Sequence, residues 1–131
     1  MIARLTESLD FHSQALMLRA ERQRLIASNI ANADTPGYQA RDFDFAAALR
    51  AATGNGNAKG IGADIMHTGG RLSPTLRYAV PSQTNLDSNT VDMDRERGAF
   101  ADNAVKYEST LRFINGSVRT MLDAMKSHHQ A

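Results

Sequence analysis

LIASNIANADTPGYQARDFDF, residues 25–45, is the stretch on which the reading of this chain turns. Its first half continues a helical pattern and its second half stops one. Asn29 and Asn32 are three apart, which places their amides at neighbouring positions on one helix face. Each amide can both donate and accept. That suits bonding to the backbone of a neighbouring chain or to the turn that follows; for Asn32, simple termination of the helix explains the residue equally well. Ala27, Ala31 and Ala33 are small and permit close approach. Pro36 disfavours helical geometry at Thr35, and Pro36-Gly37 fits the central positions of a type II turn that redirects the chain.

Toward the N-terminus, residues 1–33 contain neither Pro nor Gly. A heptad places Ile2, Leu5, Leu9, His12, Leu16, Arg19, Gln23, Ile26 and Ile30 on one line. Phe11, Leu18 and Leu25 repeat every seven residues on a second line, roughly 130° round the helix. A helix packed against one partner needs one stripe, so two stripes predict contacts on two sides.

Toward the C-terminus, steps of four and three pick out Met93, Arg97, Phe100, Ala104, Tyr107, Leu111, Ile114, Val118, Met121 and Met125. Only Arg97 is polar, which predicts a long coiled-coil-like helix. Asp92, Asp94 and Glu96 lie at its start and Arg112, Arg119 and Lys126 toward its end, as the helix dipole favours. Thr90 or Asp92 is the expected cap. Gly116 costs about 1 kcal/mol relative to Ala in a helix; close helix approach and simple tolerance both account for it.

The middle has a different texture. An apolar segment, Phe43 to Leu49, predicts one or two helical turns. The run Thr53-Gly54-Asn55-Gly56-Asn57-Ala58-Lys59-Gly60, with Gly69-Gly70 and Pro74 beyond it, predicts a loop with at most short strands, one of them around Leu76 to Val80. The region from Gly54 to Gly70 is expected to be the least ordered. The predicted fold is mainly α: long N- and C-terminal helices pairing as a coiled coil, with a short irregular, β-containing middle. The expected boundaries are 1–34, 35–89 and 90–131.

Composition removes several functions. With 131 residues, 42% hydrophobic and 22% charged, the chain is of one-domain size and ordinary make-up, but only 6% of residues are aromatic. A net charge of +1 argues against a dedicated nucleic-acid binder. The chain has no Cys, which excludes disulfides, thiolate metal sites and a thiol nucleophile. The glycines from Gly54 to Gly62 lack the phosphate-loop spacing and a leading strand. His12, His67, His128 and His129 show no converging ligand spacing. No G-x-S-x-G elbow is present. The expectation is a non-enzyme with no catalytic, cofactor or metal site, and with no nucleic acid or small-molecule substrate. Arg4, Glu7 and Asp10 interrupt the first ten residues, so no secretory signal is read there.

The segment Ser28-Asn29-Ile30-Ala31-Asn32, closing a helix and followed by Pro36-Gly37-Tyr38, closely resembles the N-terminal motif of the flagellar basal-body rod and hook family. Gln39-Ala40-Arg41-Asp42-Phe43-Asp44-Phe45 resembles the proximal-rod branch of that family. So do Asn89-Thr90-Val91-Asp92-Met93-Asp94-Arg95-Glu96 and Lys106-Tyr107-Glu108 at the other end. The resemblance implies terminal helices that pair in an inner tube, with helical, non-closing contacts between subunits that transmit torque for motility. It also implies export by the flagellar type III apparatus without a cleaved signal, and a place in the rod where it crosses the periplasm. Implied partners are further copies, other rod proteins, and the adapter and inner-membrane ring at the rod base. The implied assembly motif is Ser28, Asn29, Ile30, Ala31, Asn32, Pro36, Gly37 and Tyr38. Leu9, Leu16, Ile26, Phe100, Tyr107, Leu111, Ile114, Val118 and Met121 are the expected helix interface. The alternatives are another axial protein of the rod and hook family, or a non-flagellar helical adapter module.

Overall fold

The computed structural model describes residues 2–54, 66–68, 71–73, 77–78, 86 and 88–129. Helix α1 runs over Ile2–Ala31, strand β1 over Arg41–Asp42 and helix α2 over Phe45–Ala52. Strands β2 (Met66–Thr68), β3 (Arg71–Ser73) and β4 (Arg77–Tyr78) follow, and helix α3 (Met93–His129) closes the order. With 30 and 37 residues, α1 and α3 are about 45 and 55 Å long.

Local chemistry explains the ends of these elements. Tyr38 N–H donates to Thr35 O at 3.2 Å and Gly37 has φ 72°, so Thr35 to Tyr38 form a turn with Gly37 at the position that needs positive φ. Asp44 caps α2 by accepting from Ala47 N–H at 3.2 Å, and Thr53 closes it with its hydroxyl on Leu49 O at 2.9 Å. At α3 the cap is Asp92, whose Oδ1 accepts from Arg95 N–H at 3.2 Å. Thr90, the other expected cap, instead accepts from Ala40 N–H at 2.9 Å and so ties the middle segment to the start of α3.

The two long helices form an antiparallel hairpin. Asn29 meets Glu96, Asn103 reaches Arg19 and Gln23, and the His12 ring stacks on Phe113 at 5.6 Å between centroids. Both predicted stripes of α1 have partners within the chain. The first faces α3, with Ile26 buried. The second, through Leu18 and Leu25, makes a small core with Phe43 and Ala48, flanked by Phe45, Leu49 and Ala52. The Arg19 guanidinium covers the Phe45 ring at 4.1 Å. Contacts on two sides are thus met within the chain by α3 and by α2. Phe11 alone of the second stripe stays largely exposed.

On α3 the line facing α1 differs from the predicted apolar line. Asn103 and Thr110 are the buried residues, continued by half-buried Glu96, Ala99, Ile114, Ser117 and Met121. Phe100, Leu111 and Val118 lie about 70° round the helix from that seam. They remain 41%, 37% and 40% exposed, with Leu122 at 50% and Met125 at 64%. Hydrophobicity picked the oily line, whereas a short polar side chain such as Asn103 reaches the α1 backbone only where the helices come close. A Cβ placed on Gly116 would meet nothing within 4 Å, so no close approach within the chain requires that glycine.

In the middle, β1 pairs antiparallel with β4, opposing Arg41 to Tyr78 and Asp42 to Arg77. Strands β2 and β3 form a second antiparallel pair, with His67 opposite Leu72. The strand expected around Leu76 to Val80 corresponds to β4, and the short helix begins two residues later than read, at Phe45. Most of the region expected to be least ordered lies outside the described residues.

Candidate functional site

The Ser28–Asn32 segment and the turn after it build a junction where the end of α1, β1 and the start of α3 meet. Asn29 is its hub and is 1% exposed. Its Nδ2 donates to Arg41 O at 2.8 Å and to Glu96 Oε1 at 3.3 Å. Its Oδ1 accepts from Arg41 N–H at 3.0 Å and from the Tyr38 hydroxyl at 3.1 Å. The carboxamide therefore pairs with the Arg41 backbone as a neighbouring strand would, and its donors and acceptor are all used. The Ser28 hydroxyl lies 3.4 Å from the Tyr38 hydroxyl.

Asn32 works on the helix end. Its Nδ2 donates to Ser28 O at 2.8 Å, and its Oδ1 accepts from the Thr35 hydroxyl at 3.1 Å. This is a terminating role, while Asn29 bonds onward to the following segment and to α3. Ile30 is half-buried, and Ala31, Pro36 and Gly37 are exposed around the junction.

Asn89 completes the junction from the α3 side and is fully buried. Its Nδ2 faces three carbonyls at the end of α1, Asn32 O at 2.9 Å and Ala33 O and Thr35 O at 2.8 Å each. Its Oδ1 accepts from Val91 N–H at 2.8 Å. Helix ends leave carbonyls without partners, and here one amide from 57 residues away supplies them. Thr90 N–H adds a bond to Tyr38 O at 3.1 Å. Nothing in hydrophobic periodicity points to Asn89. Its signals were its position just ahead of the α3 cap and its place in the Asn89–Glu96 segment that carries the family resemblance.

Glu96 brings charge to this junction. Burial, reinforced by the nearby Asp42 carboxylate, raises its pKa above the ordinary 4.5, although the Asn29 bond pulls the other way. Asp42 itself pairs with Arg22 at 3.2 Å. A carboxyl with a raised folded pKa binds its proton more tightly when folded. It therefore favours the fold below about pH 4.5 and costs stability as pH rises through the folded value. Glu96→Gln keeps an acceptor for Asn29 and removes that cost. Its melting temperature is expected to exceed the wild type's at pH 7, with a flatter stability profile above pH 4.5. An equal or lower melting temperature at pH 7 contradicts this account.

The expected interface residues divide into two sets. Ile26 is buried, and Leu9, Leu16, Tyr107, Ile114 and Met121 are half-buried along the hairpin. Phe100, Leu111 and Val118 form the outward stripe. Among the described residues no group of His, Asp or Glu is placed to hold a metal ion, and no helix is long and apolar enough to cross a membrane. The hydrogen bonds of Asn29 and Asn89 join the end of α1, the turn after it and the start of α3.

Comparison with known proteins agrees with this reading. Residues 9–39 match the family model described as flagella basal body rod protein. The chain is 46% identical to the flagellar basal body rod protein FlgB of Proteus mirabilis strain HI4320, over 96% of this chain and 98% of that one. It is 44% identical to the protein of that name from Escherichia coli K12, over 97% and 99%. For the Cereibacter sphaeroides protein of the same name the identity is 41%, over 92% and 94%. Near-complete alignment at this identity, together with the rod motif on α1, makes the chain a member of the FlgB family of flagellar basal body rod proteins and a structural component of the rod.

Proposed function

We propose that the chain packs helically with further copies and with other rod proteins at the proximal end of the rod. There it joins the inner-membrane ring and its adapter to the rest of the rod where it crosses the periplasm. Its work is to carry torque through close-packed helices, and it performs no catalysis and uses no cofactor. It reaches that place through the flagellar type III export apparatus without a cleaved signal. The division into an N-terminal axial helix (1–34), a middle segment (35–89) and a C-terminal axial helix (90–131) belongs to the same proposal.

The observation that carries this reading is the outward apolar stripe of α3. Phe100, Leu111, Val118, Leu122 and Met125 recur along one line of α3, about 70° round from the seam that is packed on α1. Contiguous exposed apolar surface of this kind marks an interaction face. Beside it, the junction at Asn29 and Asn89 sets the two helix ends rigidly, as a load-transmitting unit requires. Complementation of a strain lacking the chain tests the proposal. The wild type restores swimming and rod assembly, whereas Leu111→Asp does not. Full swimming with Leu111→Asp would overturn it.

A further inference from the structure

The apolar stripe of α3 raises a physical question. Phe100, Leu111 and Val118 sit only about 70° of helix rotation away from the α1 seam. Burying them there would remove more apolar surface from water than the mixed line of Glu96, Ala99, Asn103, Thr110, Ile114, Ser117 and Met121 that occupies it now, and burial stabilises by about 25 cal/mol per Å². Hydrophobicity alone therefore favours a hairpin with α3 turned inward. Something holds it outward.

Among the described residues, three side-chain contacts between α1 and α3 bear on the rotation of α3 about its own axis. At the junction, Glu96 accepts from Asn29 at 3.3 Å. Farther along, Phe113 stacks on His12 at 5.6 Å. Between them, Asn103 is 1% exposed and donates to Arg19 O at 2.9 Å and to Gln23 Oε1 at 2.7 Å. Of the three, it is the contact whose side chain bonds to the α1 backbone, which fixes direction most closely. Thr110, the other buried polar residue of this seam, bonds Lys106 O within its own helix and so does not read α1.

Asn103 is also a poor choice for stability. Its Oδ1 is buried with no hydrogen-bond partner, and a buried unsatisfied acceptor is costly. A single buried Asn in a helix seam can specify one arrangement while lowering stability. We propose that Asn103 is a rotational lock: it keeps α3 turned so that the apolar stripe faces outward and is not consumed by the chain's own hairpin. Where stability and specificity conflict at this position, specificity has been kept.

The absence of Cys from the chain gives a clean test. Single cysteines are placed at Val118, on the stripe, or at half-buried Ser117, on the seam, and maleimide labelling rates are measured on the free full-length chain. In the wild-type background Val118→Cys labels faster than Ser117→Cys. Adding Asn103→Ala, which removes the bonds to α1 without placing a larger apolar group on the existing seam, is expected to reverse that order, with Val118→Cys slowed about tenfold or more. Thr110→Leu, which enriches the existing seam, should leave the wild-type order in place. Retention of the wild-type order in Asn103→Ala overturns the proposal. So does fast labelling at both positions with loss of helix, since Asn103 would then be a plain structural bond. The readout uses the free chain, so it fails or stands separately from the rod assignment.

Discussion

Asn29→Ala is expected to lower the stability of the free chain by about 3 kcal/mol. The residue is buried and makes four hydrogen bonds, to both backbone groups of Arg41, to Tyr38 and to Glu96. Each such bond contributes roughly 0.5–1.5 kcal/mol net, and bonds sharing one amide are not additive. Domains of this size have a total stability of about 5–15 kcal/mol, so the loss is a large fraction. Asn32→Ala is the control. Its side-chain bonds, to Ser28 O and from Thr35, stay within the helix end, and its cost should be near 1 kcal/mol. Urea denaturation of both variants measures the difference. Hydrogen exchange at residues 38–43 should also rise selectively in Asn29→Ala. Equal costs for the two asparagines would mean that Asn29 is a helix terminator and not the hub of a junction.

The second large effect is on assembly. Leu111→Asp should leave the free chain nearly as stable as the wild type, because Leu111 is 37% exposed and stands off the α1 seam. Surface substitutions of that kind usually change stability by no more than about 0.5 kcal/mol. In a packed interface the same change removes an apolar anchor, typically about 2 kcal/mol or more. It also buries a carboxylate without a partner, which is worse. In a helical assembly the penalty recurs at every subunit, so rods should fail to form at all. Ile114→Asp is the less informative choice. Ile114 is half-buried along the hairpin, so that variant damages fold and assembly together. Circular dichroism of the free chain beside swimming assays separates the two. Loss of helix in Leu111→Asp would move the residue from the outer face to the fold.

The parts of this molecule that depend on period were legible in the sequence. Residues 2–31 lack helix breakers and carry two stripes, and each stripe found a partner. The turn at Pro36-Gly37 followed from the fixed φ of one residue and the freedom of the other. The polar contacts were not legible. Asn89, Glu96 and Asn103 decide how the helices are joined, but a hydrogen bond between residues 57 to 84 positions apart leaves no periodic trace. For the same reason the α3 seam was read about 70° from where it lies. Periodicity reports which side of a helix is apolar, and here that side is not the one facing α1. The asparagines of the rod motif could be placed on one face by spacing. Which one would bond onward and which would close the helix depended on the fold of residues 38–42 and 89–96.

The most direct test is a density map of the assembled basal-body rod at side-chain detail. The chain should appear there as the α1–α3 hairpin, with the Asn29–Arg41 and Asn89 contacts intact. Phe100, Leu111, Val118 and Leu122 should be covered by a helix of a neighbouring subunit. A rod in which that stripe faces solvent, or is buried against the chain's own α1, would contradict the account.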